Sequence, residues 1–356
     1  MQLHRRLATA VRFADASPGE GGGAVIGGRP GATAGRGGAV VLRFNRDFAF
    51  RYETAEELRP GIRRIVARNP KDYTWVGTNT HLVGRERVAI IDPGPASREH
   101  VEAVLGALAG RPVSGIFLTH SHLDHAPAAA ALKEATGAPV FGFGPIDAQL
   151  ASRTDEEVDL ATRPDIVLAD GAVIEVDQGF VLEAVHTPGH FPNHLCYALT
   201  IHDRDAGPAR LLFSGDHVMG WSTTVIVPPL GNLEHYLDSL VRLLRRPEEL
   251  YLPSHGPAVA DARGWVRALI AHRHGRERQI VACLARGIRA PEEIVAAIYE
   301  GLTPRLRKAA AGSVRAHLDF LAARGLIDST GRLQAGAAEI DAVWPYRSVE
   351  ARAGRA

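Results

Sequence analysis

The segment Thr119-His120-Ser121-His122-Leu123-Asp124-His125 sets four metal-ligating side chains within six residues, directly after the apolar run Gly115 to Leu118. A loop at a strand end need not alternate its side chains across a sheet, so His120, His122, Asp124 and His125 can converge on one small volume. Neutral imidazoles and a carboxylate suit zinc and neighbouring first-row divalent ions. Three further candidates each follow an apolar run and each have a glycine beside them. His190 lies in His186-Thr187-Pro188-Gly189-His190, Asp216 in Ser214-Gly215-Asp216, and His255 in Pro253-Ser254-His255-Gly256-Pro257. Any one of the three would be a weak signal alone.

The elements that must position these residues follow from the hydrophobic pattern. Thr80 to Val83, a turn at Gly84, and Val88 to Ile91 ending at Asp92-Pro93-Gly94 read as a hairpin-like opening. His100 to Leu108 and the Ala-rich Pro127 to Thr136 have helical spacing, each followed by a glycine. Short strands at Val140 to Phe143, Val173 to Val176, Val181 to Val185, Leu195 to Thr200 and Leu211 to Phe213 precede a helix from Leu233 to Leu244. This predicts a mixed α/β catalytic domain over 46–262. Trp265 to Arg286, Pro291 to Gly301 and Arg305 to Arg324 read as three helices, and a turn at Asp328 to Gly331 joins two short apolar stretches. Three helices and a ribbon outline a winged helix over 263–345, with a short tail over 346–356.

The chain has 356 residues and a net charge of +1, with 46% hydrophobic residues, so a disordered chain is excluded. No apolar run reaches the roughly 18 to 20 residues of a membrane span. Two cysteines, Cys196 and Cys283, cannot make a disulfide framework, and a reducing, cytoplasmic setting is the default. Residues 1–45 read as a flexible Gly/Arg-rich tail. Its start carries Arg5, Arg6 and Arg12 and no acid, so a mitochondrial presequence and a misassigned start are both open. The small net charge hides an asymmetry: residues 263–332 hold 13 Lys and Arg against six acids, and 41–262 are net −9.

Taken together, the His120 to His125 block, the later His190 and Asp216 and the final His255 resemble the metallo-β-lactamase superfamily over roughly residues 70–260. The resemblance implies an αββα sandwich with a dinuclear site for two zinc ions, other first-row metals being open. It implies that His120, His122 and His190 hold one ion, that Asp124, His125 and His255 hold the other, and that Asp216 bridges them. Hydrolysis would then use a hydroxide held between the ions, with Asp124 orienting it or taking its proton. Asp92 sits where the family has a buried Asp, so it either orients a ligand histidine from behind or merely caps a turn. His194 either faces the cleft in a substrate or proton role or is structural. Ser254 stands where many members have glycine.

The superfamily hydrolyses lactams, thioesters, lactones and phosphodiesters with nearly one metal site. Only 38 residues separate Asp216 from His255, which leaves no room for the inserted domain of nucleases that process messenger-RNA ends. A catalytic domain followed by a winged helix resembles the β-lactamase-like protein 2 group, which includes a single-strand endoribonuclease. A basic module with Arg305, Arg307, Lys308 and Arg315 on its third helix could attract a phosphate backbone, although stacking aromatics are sparse. The leading expectation is therefore a phosphodiesterase acting on single-stranded RNA. The alternative is a thioesterase or other small-ester hydrolase like glyoxalase II, in which the module packs on the catalytic domain or on a second subunit of a homodimer. A nucleic-acid-binding regulator with a structural metal site is disfavoured, because all seven ligand positions hold competent residues.

Overall fold

The computed structural model describes residues 31–34, 40–202, 207–334, 340 and 344–346. The start of the expected N-terminal tail, with its presequence-like arginines, and residues 347–356 of the expected C-terminal tail lie outside them.

Two mixed sheets face each other. The first runs β3 (Glu56–Arg59), β4 (Ile62–Val66), β5 (Asn79–Val83), β6 (Val88–Ile91), β7 (Val113–Phe117), β8 (Val140–Gly142), β9 (Ile166–Val167), antiparallel up to β6 and parallel beyond it. The second runs β10 (Val173–Asp177), β11 (Phe180–His186), β12 (Leu195–Ile201), β13 (Ala209–Gly215), β14 (Leu250–Pro253), with only the last pair parallel. All four residues of β6 are buried, as a central strand covered on both faces requires. Between the sheets, Phe117 stacks on Phe141 at 4.6 Å and meets Tyr197 edge-on at 5.6 Å. Helices α1 (Arg98–Leu108) and α2 (Ala128–Thr136) cover the outer face of the first sheet. After the four-residue α3 (Ala148–Ala151), α4 (Leu233–Leu244) and α5 (Ala262–Ala285) cover the second. Ser97, Asn232 and Asp261 cap α1, α4 and α5 through their side-chain oxygens. The result is the αββα sandwich expected from the sequence.

Strands β3 and β4 escape the sequence pattern because Arg63 and Arg64 interrupt the apolar run. Arg64 is nevertheless buried, paired with Glu56 at 2.6 Å and lying over Phe48. The tail expectation also needs correction. Gly31–Ala34 (β1) and Val40–Arg43 (β2) form an antiparallel hairpin against α5, and the Phe44 ring meets Trp265 edge-on at 6.0 Å. Glycines hide this hairpin in the sequence, while Leu42 and Phe44 give it an apolar footing. At the other end Tyr346, expected in a tail, donates its hydroxyl to Asp238 at 2.8 Å.

Helix α5 has 24 residues and spans about 36 Å. Trp265, Val266, Leu269 and Ile270 belong to the core over the second sheet, whereas Ile280, Val281, Cys283 and Leu284 belong to the C-terminal module. One rod thus enters both cores. With α6 (Pro291–Ile298), α7 (Pro304–Ala323) and the bridge between Ile327 and Leu333 it completes the winged helix. Among the described residues no helix is long and apolar enough to cross a membrane.

Glu277 lies on α5, 1% exposed, and burial pushes its carboxyl up to about 8, with Arg324 only partly opposing. In the unfolded chain it ionises near 4.5. Its contribution is therefore present below that value and is lost as pH rises towards 8. Glu277→Gln should melt higher than the parent at pH 8.5, with the difference shrinking towards pH 5. Melting curves whose difference does not change with pH would overturn the neutral buried carboxyl.

Candidate metal centre

β6 and β7 run parallel, so Asp92 after β6 and the loop after β7 emerge side by side. β13 and β14 are also parallel and deliver Asp216 and His255 to the same rim, while the 187–194 connection between β11 and β12 delivers His190. All seven expected ligand residues are brought together. His120, His122 and His190 form one group, and Asp124, His125 and His255 another, with donor atoms of each group within 4.8 Å of one another. Asp216 lies between them. Its Oδ2 is 3.8 Å from His190 Nε2 and 3.6 Å from His125 Nε2, and its Oδ1 is 3.4 Å from His255 Nε2.

The outer ring nitrogens explain the inward ones. His190 Nδ1 donates to Val225 O at 2.6 Å and His255 Nδ1 to Gly77 O at 3.0 Å. His125 Nδ1 donates to Asp92 Oδ2 at 2.9 Å. Thr119 Oγ1 gives its own proton to Asp92 Oδ2 at 2.8 Å, so it accepts from His120 Nδ1 at 2.9 Å. With these tautomers, assigned from the partners, Nε2 of His120 and His190 turns a lone pair inward, while Nε2 of His125 and of His255 faces the Asp124 and Asp216 carboxylates. His120 Nε2 lies 2.8 Å from His122 Nδ1, and His190 Nε2 3.3 Å from the same atom. Lone pairs crowded in this way repel unless a cation or proton lies between them. His125 Nε2 and Asp216 Oδ1 are buried without a hydrogen-bond partner among the described residues. The donor set fits divalent first-row ions.

Electrostatics divides the centre in two. Burial, aided by His125, His122 and His190, holds His120 well below the usual imidazole range, and burial with His122 lowers His190. Burial would lower His125 and His255 as well. Around His125 the carboxylates of Asp124, Asp216 and Asp92 reverse this, and around His255 Asp216 and Asp124 do, raising His255 to about 10. Burial likewise opposes ionisation of Asp124 and Asp216, but His125 and His255 hold both well below the carboxylate range.

Asp92 is not a turn cap alone. Its carboxylate oxygens accept from Thr119 N, Thr119 Oγ1, His125 Nδ1 and Ser254 Oγ, the last at 2.6 Å. Ser254 thereby uses its hydroxyl on the residue behind the site. His194 does not face the cleft: it is fully buried, bonded to Thr187 Oγ1 through Nδ1 and accepting from Asp216 N through Nε2 at 3.2 Å. Gly215 is required there, because its φ is +53° and a Cβ would come within 2.4 Å of His194 Nε2.

The centre opens into a cleft of about 460 Å³. One wall carries Glu156 and Glu157; the facing wall is α7, through Arg305, Lys308, Gly312 and Arg315. The basic side chains are engaged: Lys308 Nζ meets Asp155 at 2.7 Å, Arg305 meets Glu157 at 3.5 Å, and Arg315 meets Glu292 at 2.6 Å. The sequence leaves open whether this helix packs on the catalytic domain, and it gives no signal for Lys71 or Arg273; Thr119 lies in the motif loop and Thr224 in the block Ser222-Thr223-Thr224, but neither is marked there as a partner of the site.

The sequence profile of the metallo-beta-lactamase superfamily matches residues 73–255, and that of the beta-lactamase associated winged helix domain matches 290–336. Lactamase-like protein aptB of Emericella nidulans is 31% identical over 70% of this chain and 76% of its own length. An atrochrysone carboxyl ACP thioesterase of Paecilomyces divaricatus is 30% identical over 65% of this chain and 67% of its own. Among solved structures, a beta-lactamase domain protein from Burkholderia ambifaria shares the fold with a TM-score of 0.64 at 24% identity, covering 81% of this chain and 94% of that one.

Asp92→Ala would strand four buried donors at once. The metal-free variant should lose about 3 kcal/mol or more in urea unfolding, against about 1 kcal/mol for Ser254→Ala. Equal losses would show that Asp92 is not the hub.

Proposed function

The chain belongs to the metallo-β-lactamase superfamily, and we propose that within it the protein is a metal-dependent thioesterase acting on acyl thioesters, above all those carried on the phosphopantetheine arm of an acyl carrier protein. The observation that carries this reading is similarity across 65% of the chain to proteins named atrochrysone carboxyl ACP thioesterase. The cleft supports it. Loop residues Asp155, Glu156 and Glu157 line it together with the basic side chains, so it is no continuous phosphate track for RNA. Walled by α7, it suits a thin arm entering end-on.

His120, His122 and His190 would hold one divalent ion, Asp124, His125 and His255 a second, and Asp216 both; zinc fits the imidazole and carboxylate set. Bound there, the ions supply a water acidic enough to attack at neutral pH and polarise the thioester carbonyl. Asp124, its Oδ2 fixed by the Thr78 hydroxyl at 3.1 Å, takes the proton of the attacking water. The thiol leaves as a thiolate, which needs no strong general acid. Arg305 and Lys308 at the mouth attract the phosphodiester of the arm.

Purified protein should hold two ions per chain by elemental analysis, and Asp216→Ala should lose both. In a panel of acyl-pantetheine, acyl carrier protein, single-stranded RNA and bis-p-nitrophenyl phosphate, thiol release should dominate. His120→Ala and Asp124→Ala should lose on the order of a hundredfold or more in kcat. Arg305→Ala with Lys308→Ala should raise KM for the carrier-bound substrate and leave a short thioester unchanged. RNA cleavage without thiol release would overturn the thioesterase reading and favour the nuclease.

A further inference from the structure

Thr224 and Val225 lie outside every strand and helix, in the connection between β13 and α4. Two groups of the metal centre nevertheless depend on them. Val225 O is the acceptor that orients His190, and the Thr224 hydroxyl shares its proton between Asp216 O at 2.8 Å and His217 O at 3.0 Å. A segment without regular structure can hold the His190 ring and the Asp216 backbone in place only if something fixes its own backbone. That something comes from α5. Arg273 is buried at 5% exposure, and its Nη2 donates to Thr224 O. Its guanidinium also lies 5.2 Å from the centre of the Tyr236 ring. The backbone of Tyr236 in turn packs against Gly189, beside His190: a Cβ on Gly189 would come within 2.3 Å of Tyr236 Cα. The same segment meets α7 further on, where a Cβ on Gly312 would lie 2.8 Å from Val227 Cγ2.

We propose that Arg273 is a positioning residue for the metal centre, fixing the His190 ring and the backbone of Asp216 through Val225 and Thr224, so that the helix shared with the winged-helix module sets the affinity of the centre. This rests on the metal-centre reading above. Arg273 approaches neither substrate nor ligand atoms; it acts by denying Thr224 and Val225 other conformations. A buried guanidinium suits the task, since its Nη2 bonds the carbonyl while the group lies over the aromatic ring.

The test uses the full chain loaded with cobalt(II), read by its visible absorption and by competition with a chelator. Arg273→Met and Thr224→Val should each weaken cobalt retention about tenfold or more, in the range found for partners of ligating residues. Both should also shift the cobalt bands, and Arg273→Lys should recover part of the loss. Cobalt affinity within twofold of the parent with unaltered bands would overturn the proposal, even where melting temperature falls, since Arg273 would then be only a joint between two cores. Should Arg273→Met fail to fold, Thr224→Val and Arg273→Lys decide by the same readings. A parent protein that takes up no cobalt would instead sink the metal-centre reading, and the positioning role with it.

Discussion

The imidazole lone pairs of His120, His122 and His190, turned towards one another within 4.8 Å, repel, and the structure around the metal centre is arranged to hold them there. Each ligand histidine with an outer hydrogen bond has that bond anchored in backbone or in a buried side chain, so its ring cannot rotate to relieve the crowding. Asp92 is the densest of these anchors. It ties the loop after β7, through Thr119 and His125, to the segment after β14, through Ser254. A net hydrogen bond contributes only about 1 kcal/mol, but leaving such a group unpaired in a dry interior costs more. Holding the centre ready for its ions is therefore a property of the layer behind it.

That requirement selects the sheet topology. Groups far apart in sequence meet at one rim only if their strands end on the same side. Parallel pairing of β6 with β7 and of β13 with β14 does this in the two sheets. Two left-handed residues sit at these ends. Asp92 itself has φ of +48°, and Gly215 has φ of +53° with His194 against it. The first strains an ordinary residue in order to turn its carboxylate back under the loop. The second leaves the place of a side chain to an imidazole that bonds Asp216 N.

The sequence makes the ligands legible because their chemistry is local: four donors in six residues need no tertiary information to be noticed. What it hides is the partner of each. Asp92 reads equally as a turn or an orienting residue until Ser254, 162 positions later, is seen on its Oδ2. His194 looks like a cleft residue because it follows His190 closely, yet the 187–194 turn sends its ring beneath Gly215. The winged helix is visible in its helix stops and its turn. The dual membership of α5 is not, since both halves of that helix carry similar apolar spacing and only packing divides them between two cores. The β1–β2 hairpin is lost among glycines for the same reason.

The charge asymmetry of the chain acquires a different meaning once the module is in place. A net −9 body with a strongly basic module suggests a polyanionic partner if the two are considered apart. In the structure Arg305 faces Glu157, Lys308 faces Asp155 and Arg324 faces Glu234, so part of that charge is spent between the two halves of one molecule. Such exposed pairs contribute little to stability. They cannot be what fastens the module; the apolar face of α5, buried from Trp265 to Leu284, does that. The pairs of Arg305 and Lys308 instead join α7 to the loop on the other side of the cleft. A domain outline associated with nucleic-acid binding thus serves here as a wall of the cleft.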